Sequence, residues 1–220
     1  LLLITTVAII YLARTQIAKS AQSDEKNPID ICRGKLSDKE YLQHMIPHHQ
    51  VAIDISHLHK KVSTWDAMQQ MLRELIWTQT YEVHVMKLLL NSLPENDMSA
   101  DDQHMQPLYR VTMGDMTSPN VVGISSTYCD PHFFDPEAHM AHMEHMTLSD
   151  KSYIEHMIPH HQVAVDMSKR LLQHTQNDFM IHLAYRIINS QQKEIVRLND
   201  LLSSKNRSLQ SNIITAGSSA

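Results

Sequence analysis

The sequence predicts an all-α fold, an antiparallel four-helix bundle made from two tandem helical hairpins. Two observations lead there: a composition suited to helices, and an internal duplication whose copies each carry two amphipathic runs. Among 220 residues there are four glycines and three phenylalanines, while Leu, Ile, Met, Gln, Glu and Lys are plentiful. That balance argues against a sandwich or barrel. A net charge of −5 with histidine neutral offers no basic surface to nucleic acid. Sixteen histidines and 14 methionines stand out. Methionine alone is ordinary core filler, but here many methionines sit beside histidines.

Residues 1–20 open with the apolar run Leu1–Ala13, closed by Arg14 and Lys19. The run is short for a membrane span and suits a signal-peptide core, with a weak small-x-small cleavage site at Ala18-Lys19-Ser20. Read as a cleaved signal or as an anchor, it sets the rest of the chain outside the cytosol, secreted, periplasmic or tethered to the membrane. Cys32 and Cys129 are compatible there with one disulfide, and their spacing is not that of a metal finger.

Leu36–Ser56 and Leu148–Ser168 are identical at 16 of 21 positions, at a fixed offset of 112 residues. The register holds without a gap to Glu82 and Glu194, so the units span 36–90 and 148–202. In the first unit, Ser37 with Glu40 three residues on forms a capping box, predicting a helix to about His59. In the second, Ser149 caps a helix to about Leu172, with the box weakened because Ser152 replaces the glutamate. Fresh helix starts follow at Ser63–Asp66 and Thr175–Asp178. The runs beyond them carry apolar residues at helical period: Met68, Leu72, Leu75, Ile76, Val83, Met86 and Leu90, then Leu183, Ile187, Ile188, Ile195, Leu198 and Leu202. Each such helix has one apolar face, and pairing the hairpins about an approximate two-fold axis buries all four. The connecting segment 91–147 is proline-containing and weakly periodic, and the Ser/Asn-rich residues 203–220 read as a mobile tail.

Each unit contains His-Met-Ile-Pro-His-His-Gln. His44 and His48 lie four apart, as do Met45 and His49, so one stretch of helix presents imidazoles and a thioether together. His156, Met157, His160 and His161 repeat the pattern. Pro47 and Pro159 sit inside their helices, where proline costs about 3 kcal/mol, a cost more readily accepted at a site than by accident. Gln79, Glu82, Gln191 and Glu194 interrupt faces that must be buried. A buried carboxyl needs a partner, and a motif imidazole N–H is the natural one. A third cluster, His139, Met140, His142, Met143, His145 and Met146, has a three-residue period: a ridge if helical, a loose chelator if extended. Met98, His104, Met105, Met113, Met116 and His132 are scattered through the same segment. Thioether with imidazole favours copper, as Cu(I) or Cu(II), over zinc or iron.

The motif H-M-I-P-H-H-Q-V-A-[IV]-D-[IM]-S, followed by Gln-x-x-Glu on a second helix, resembles the domain of unknown function 305 family. Both repeats, about half of the chain, carry the resemblance, with Ile55 where the second copy has the more usual Met167. It implies a ferritin-like bundle and copper binding outside the cytoplasm, with His44, Met45, His48, His49 and their counterparts in the metal sites. The leading expectation is a copper-binding protein that buffers, sequesters or delivers the metal rather than an enzyme. Its partners would be metal ions, a copper-donor or acceptor protein, the membrane if residues 1–20 are uncleaved, and a second copy in a homo-oligomer. The alternatives are a ferritin-like dinuclear oxidase, disfavoured because neither unit contains Glu-x-x-His, and a structural bundle associated with the envelope.

Overall fold

A computed structural model describes residues 36–95, 97, 131–143 and 147–217. The apolar segment 1–20, both cysteines, Met98, His104, Met105, Met113, Met116, His145 and Met146 lie outside the described residues. Every described element is helical: α1 (Asp38–Val62), α2 (Asp66–Ser92), a 3-10 turn (Pro131–Phe134), α3 (Pro136–Met143), α4 (Asp150–Leu171) and α5 (Asp178–Gly217). α1 and α4 begin 112 residues apart, as do α2 and α5, so the sequence repeat is also the structural repeat.

The helix ends follow from local chemistry. Ser37 Oγ accepts from the Glu40 N–H, and the Glu40 carboxyl accepts from the Ser37 N–H at 2.9 Å. The box expected to be weakened at α4 is complete, because the Ser152 hydroxyl accepts from the Ser149 N–H at 2.9 Å. α2 begins at Asp66 as expected, but its N-cap is Trp65, with no side-chain bond to the helix. At the matching end of α5, Asn177 Oδ1 accepts from the Phe179 N–H at 3.0 Å. α5 continues through the segment expected to form a tail, since neither proline nor glycine occurs between Asp178 and Ala216.

α1 packs on α2 and α4 on α5, and the hairpins meet through α1 against α4 and α2 against α5. Contacts along the α1–α4 seam run in opposite directions. Tyr41 meets Ser168 at 2.6 Å, Ser56 meets Tyr153 at 2.7 Å, and His59 meets Asp150 at 2.8 Å. Tyr41 and Tyr153 are repeat equivalents, and so are Ser56 and Ser168. The first two contacts are therefore one interaction seen twice, and the two-fold axis passes between His48 and His160. Two apolar clusters flank this axis, one holding Leu42, Met45, Met86 and Met167, the other Ile154, Met157, Leu198 and Ile55. The fully buried histidines form a polar layer between them. Among the described residues, no helix is long and apolar enough to cross a membrane.

The seam hydroxyls are fully buried, so removing one partner strands the other. We expect Tyr41→Phe and Tyr153→Phe each to lower stability by about 1–2 kcal/mol, with roughly additive effects in the double variant. Urea unfolding checks this; unchanged midpoints would show that the hydroxyl pairs contribute nothing.

Candidate metal centre

His48 and His160 stack at the axis with ring centroids 3.7 Å apart and planes inclined by 30°. His48 Nε2–H donates to the His160 carbonyl at 3.1 Å. A carbonyl only accepts, so in the neutral ring the proton lies on Nε2 and Nδ1 carries a lone pair. His49 and His161 flank the pair, each 6.0 Å between centroids from its sequence neighbour. Each directs Nε2 toward a carboxyl on the second helix of its own hairpin, His49 to Glu82 at 2.9 Å and His161 to Glu194 at 2.6 Å.

Glu82 is fully buried and also accepts from Ser190 Oγ at 3.0 Å, with Arg186 Nε 3.7 Å away, so it links both hairpins. The Gln191 amide lies 3.3 Å from His49 Nε2, whereas its equivalent Gln79 is fully buried with no hydrogen bond at either amide atom.

The unused nitrogens define what this layer can do. Nδ1 of His48, His49, His160 and His161, and Nε2 of His160, are buried without a hydrogen-bond partner. Each such orphan costs about 1–3 kcal/mol, and a metal cation is a partner suited to an imidazole lone pair. Burial holds His48 and His160 well below the ordinary imidazole range, and the neighbouring histidines push the same way. No proton then has to be displaced from the coordinating nitrogen. Among the described residues, no three His, Cys, Asp or Glu side chains already stand as a coordination sphere.

The remaining sequence-predicted residues divide. His44 and His156 are half-buried at the margin of the layer. The Met45 and Met157 thioethers are fully buried in the two apolar clusters, which leaves the orphaned imidazole nitrogens to carry the argument for a metal. Of the third cluster, His139 on α3 stacks on His156 at 4.9 Å, joining the motif layer from outside the repeats. Met143 is buried in the second apolar cluster, Met140 is half-buried and His142 is exposed.

Sequence reasoning missed Phe133, which is 1% exposed and stands edge-on to His160 at 4.8 Å and to His156 at 5.3 Å. Phe134 lies 5.3 Å from the His48 ring and 6.2 Å from the His44 ring. The available signal was the Phe-Phe pair itself, two of only three phenylalanines, set in a segment with little other apolar pattern. Also missed was the buried His59, stacked on Tyr153 at 4.8 Å and bonded to Asp150, which Lys205 contacts in turn.

The family model described as "Domain of unknown function (DUF305)" matches residues 13–90 and, in a second match, residues 38–202. The chain belongs to that family. An uncharacterized protein of Acanthamoeba polyphaga mimivirus is 44% identical over 55 residues, a stretch covering 25% of this chain and 36% of that protein. Among solved structures, CopM in its Cu(II)-bound form matches with a TM-score of 0.55 at 22% identity, covering 77% of this chain and 98% of CopM. CopM in its Cu(I)-bound form gives 0.54 at 23% identity, covering 77% and 97%. A DUF305 fragment from Deinococcus radiodurans gives 0.51 at 20% identity, covering 76% and 95%. At these identities the likeness is one of fold.

Neutral burial of His48 and His160 has a consequence for the metal-free protein. Their folded pKa values are depressed, so below the ordinary value of 6.5 the unfolded chain binds more protons than the folded one. Stability is held above that pH and lost as pH falls below it, by roughly 1 kcal/mol per pH unit for each group. Melting temperatures of the apo protein between pH 7.5 and 5 should show the decline. The His48→Gln/His160→Gln variant should show a flatter profile, and an equal slope would exclude these rings as its source.

Proposed function

We propose, with DUF305 membership as the premise, that this chain is an extracytoplasmic copper-binding protein that buffers, sequesters or hands on the metal. The observation that carries the reading is the layer of fully buried imidazoles with four orphaned Nδ1 atoms at the two-fold axis. His48, His49, His160 and His161 supply nitrogen donors, and Glu82 and Glu194 engage Nε2 of His49 and His161, so that Nδ1 is the nitrogen left for a metal. Imidazole donors suit Cu(II), which tops the affinity order of the divalent first-row metals. Met140, half-buried on α3, adds a soft donor for Cu(I). That CopM was solved with Cu(II), with Cu(I) and with silver fits a fold able to hold soft and borderline ions. The apolar run at Leu1–Ala13 supports a place outside the cytoplasm.

The dinuclear-oxidase alternative finds less support. Both candidate bridging carboxyls are already committed to imidazoles, and neither unit supplies Glu-x-x-His.

Competition against a chromogenic chelator should show Cu(I) and Cu(II) bound far more tightly than Mn(II), Mg(II) or Ca(II). His48→Ala/His160→Ala should abolish the tightest copper site with helicity retained. Glu82→Gln and Glu194→Gln should each weaken it by about 10–100-fold. Equal affinity for copper and manganese would remove the reading.

A further inference from the structure

The exposed His132 and His142 face each other across the turn between the 3-10 segment and α3, with ring centroids 5.9 Å apart and planes inclined by 29°. Two imidazoles sharing one ion at a metal–nitrogen distance of about 2.0–2.1 Å bring their ring centres to about 5–6 Å. The centroid spacing admits one shared ion once each ring turns a nitrogen toward it, at the surface and outside the buried layer.

Imidazoles continue inward from it. His139 lies one helical turn before His142 on α3, close enough for side chains to meet. His139 is 2% exposed and stacks on His156 at 4.9 Å. His156 is 6.0 Å from His160, and His160 is 3.7 Å from His48. Phe133 lines the inner half of this row, edge-on to both His156 and His160. An apolar ring there keeps water from competing with imidazole for the ion. Among the described residues, the row has no counterpart on the α1 side of the axis.

We propose that His132 and His142 form an outer capture site from which copper passes by way of His139 and His156 to His160 and His48. The idea rests on the copper-binding reading and adds how the ion reaches a layer that solvent does not. Each hand-over forms one metal–nitrogen bond to the incoming imidazole as one to the outgoing imidazole breaks. The ion keeps its oxidation state, and the incoming nitrogen contributes a lone pair, so no proton or electron has to be supplied. From His139 inward the successive ring centroids lie 4.9, 6.0 and 3.7 Å apart, and His142 lies one helical turn from His139. Transfer between them is intramolecular, at the high effective concentration of a tethered ligand.

The test is freeze-quenched electron paramagnetic resonance of the full chain at increasing delays after mixing with Cu(II) as its glycine complex. The parent should show an early two-nitrogen signal that converts to a later one from the buried layer. His132→Ala/His142→Ala changes only exposed side chains. It should lose the early signal, bind one copper fewer, and fill the buried layer at least about tenfold more slowly. His139→Phe keeps a ring in place to stack on His156; it should retain the early signal and delay its conversion. Circular dichroism and the final copper content establish that the variants fold.

Loading of the outer-pair variant at the parental rate would overturn the proposal. So would a fall in its tight-site affinity by the same factor as its loading rate, because the pair would then belong to the tight site. Failure of the underlying copper reading would look different: neither signal in the parent, with the variants unchanged from it.

Discussion

Two helices of nearly the same sequence lie antiparallel on a two-fold axis, so whatever occupies the axis meets its own copy. That constraint decides the chemistry of the centre. A charged side chain there would face a like charge in a space without water. An aliphatic one would continue the core unbroken. Histidine can meet itself because the neutral ring stacks, donates from one nitrogen and keeps a lone pair on the other. His48 on His160 takes that arrangement, and the hydroxyl pairs Tyr41–Ser168 and Ser56–Tyr153 fix the seam a little way to either side. The apolar clusters beyond them supply the burial that holds the helices together, and the polar layer between them sets their register.

Much of this was legible in the sequence, and the limits are physical. The repeat offset gave the hairpins, their start points and the two-fold, because a gapless register carries the same capping and apolar pattern into the second copy. Polar residues at Gln79, Glu82, Gln191 and Glu194 on faces that had to be buried announced a partner, and His49–Glu82 and His161–Glu194 are the pairs that meet. The direction of the motif methionines was not legible, for a definite reason. Helical spacing places Met45 beside His49 along one helix but does not say toward which side of a bundle each points. Met45 and Met157 turn into the apolar clusters while the histidines face the axis. The approach of Phe133 and His139 was illegible because it depends on how a segment outside the repeat folds back, and no internal copy reported on that segment.

The departures from symmetry carry as much chemistry as the symmetry. His59 reaches Asp150 at one end of the seam, while its equivalent is Leu171, and the matching carboxyl Asp38 lies near Thr175 and His174 instead. Burial raises Asp38, whereas at Asp150 the effect of burial is outweighed by hydrogen bonds from Lys205, Ser63 and His59, and the carboxyl is held low. His160 has Phe133 edge-on at 4.8 Å, and His48 has the same ring at 6.2 Å. Equivalent imidazoles thus sit in inequivalent surroundings, and identical donors acquire different roles.

A seam of this kind requires two copies of one hairpin, and here both are carried on one chain. As separate molecules, every substitution on either face would appear twice, and the centre would keep its two-fold symmetry intact. Joined in one polypeptide, the copies drift independently. Leucine replaces histidine at one end of the seam alone, serine takes over the work of glutamate at one cap, and a linker residue settles beside one ring of a matched pair. Carrying both copies on one chain thereby gives a repeated element two inequivalent halves.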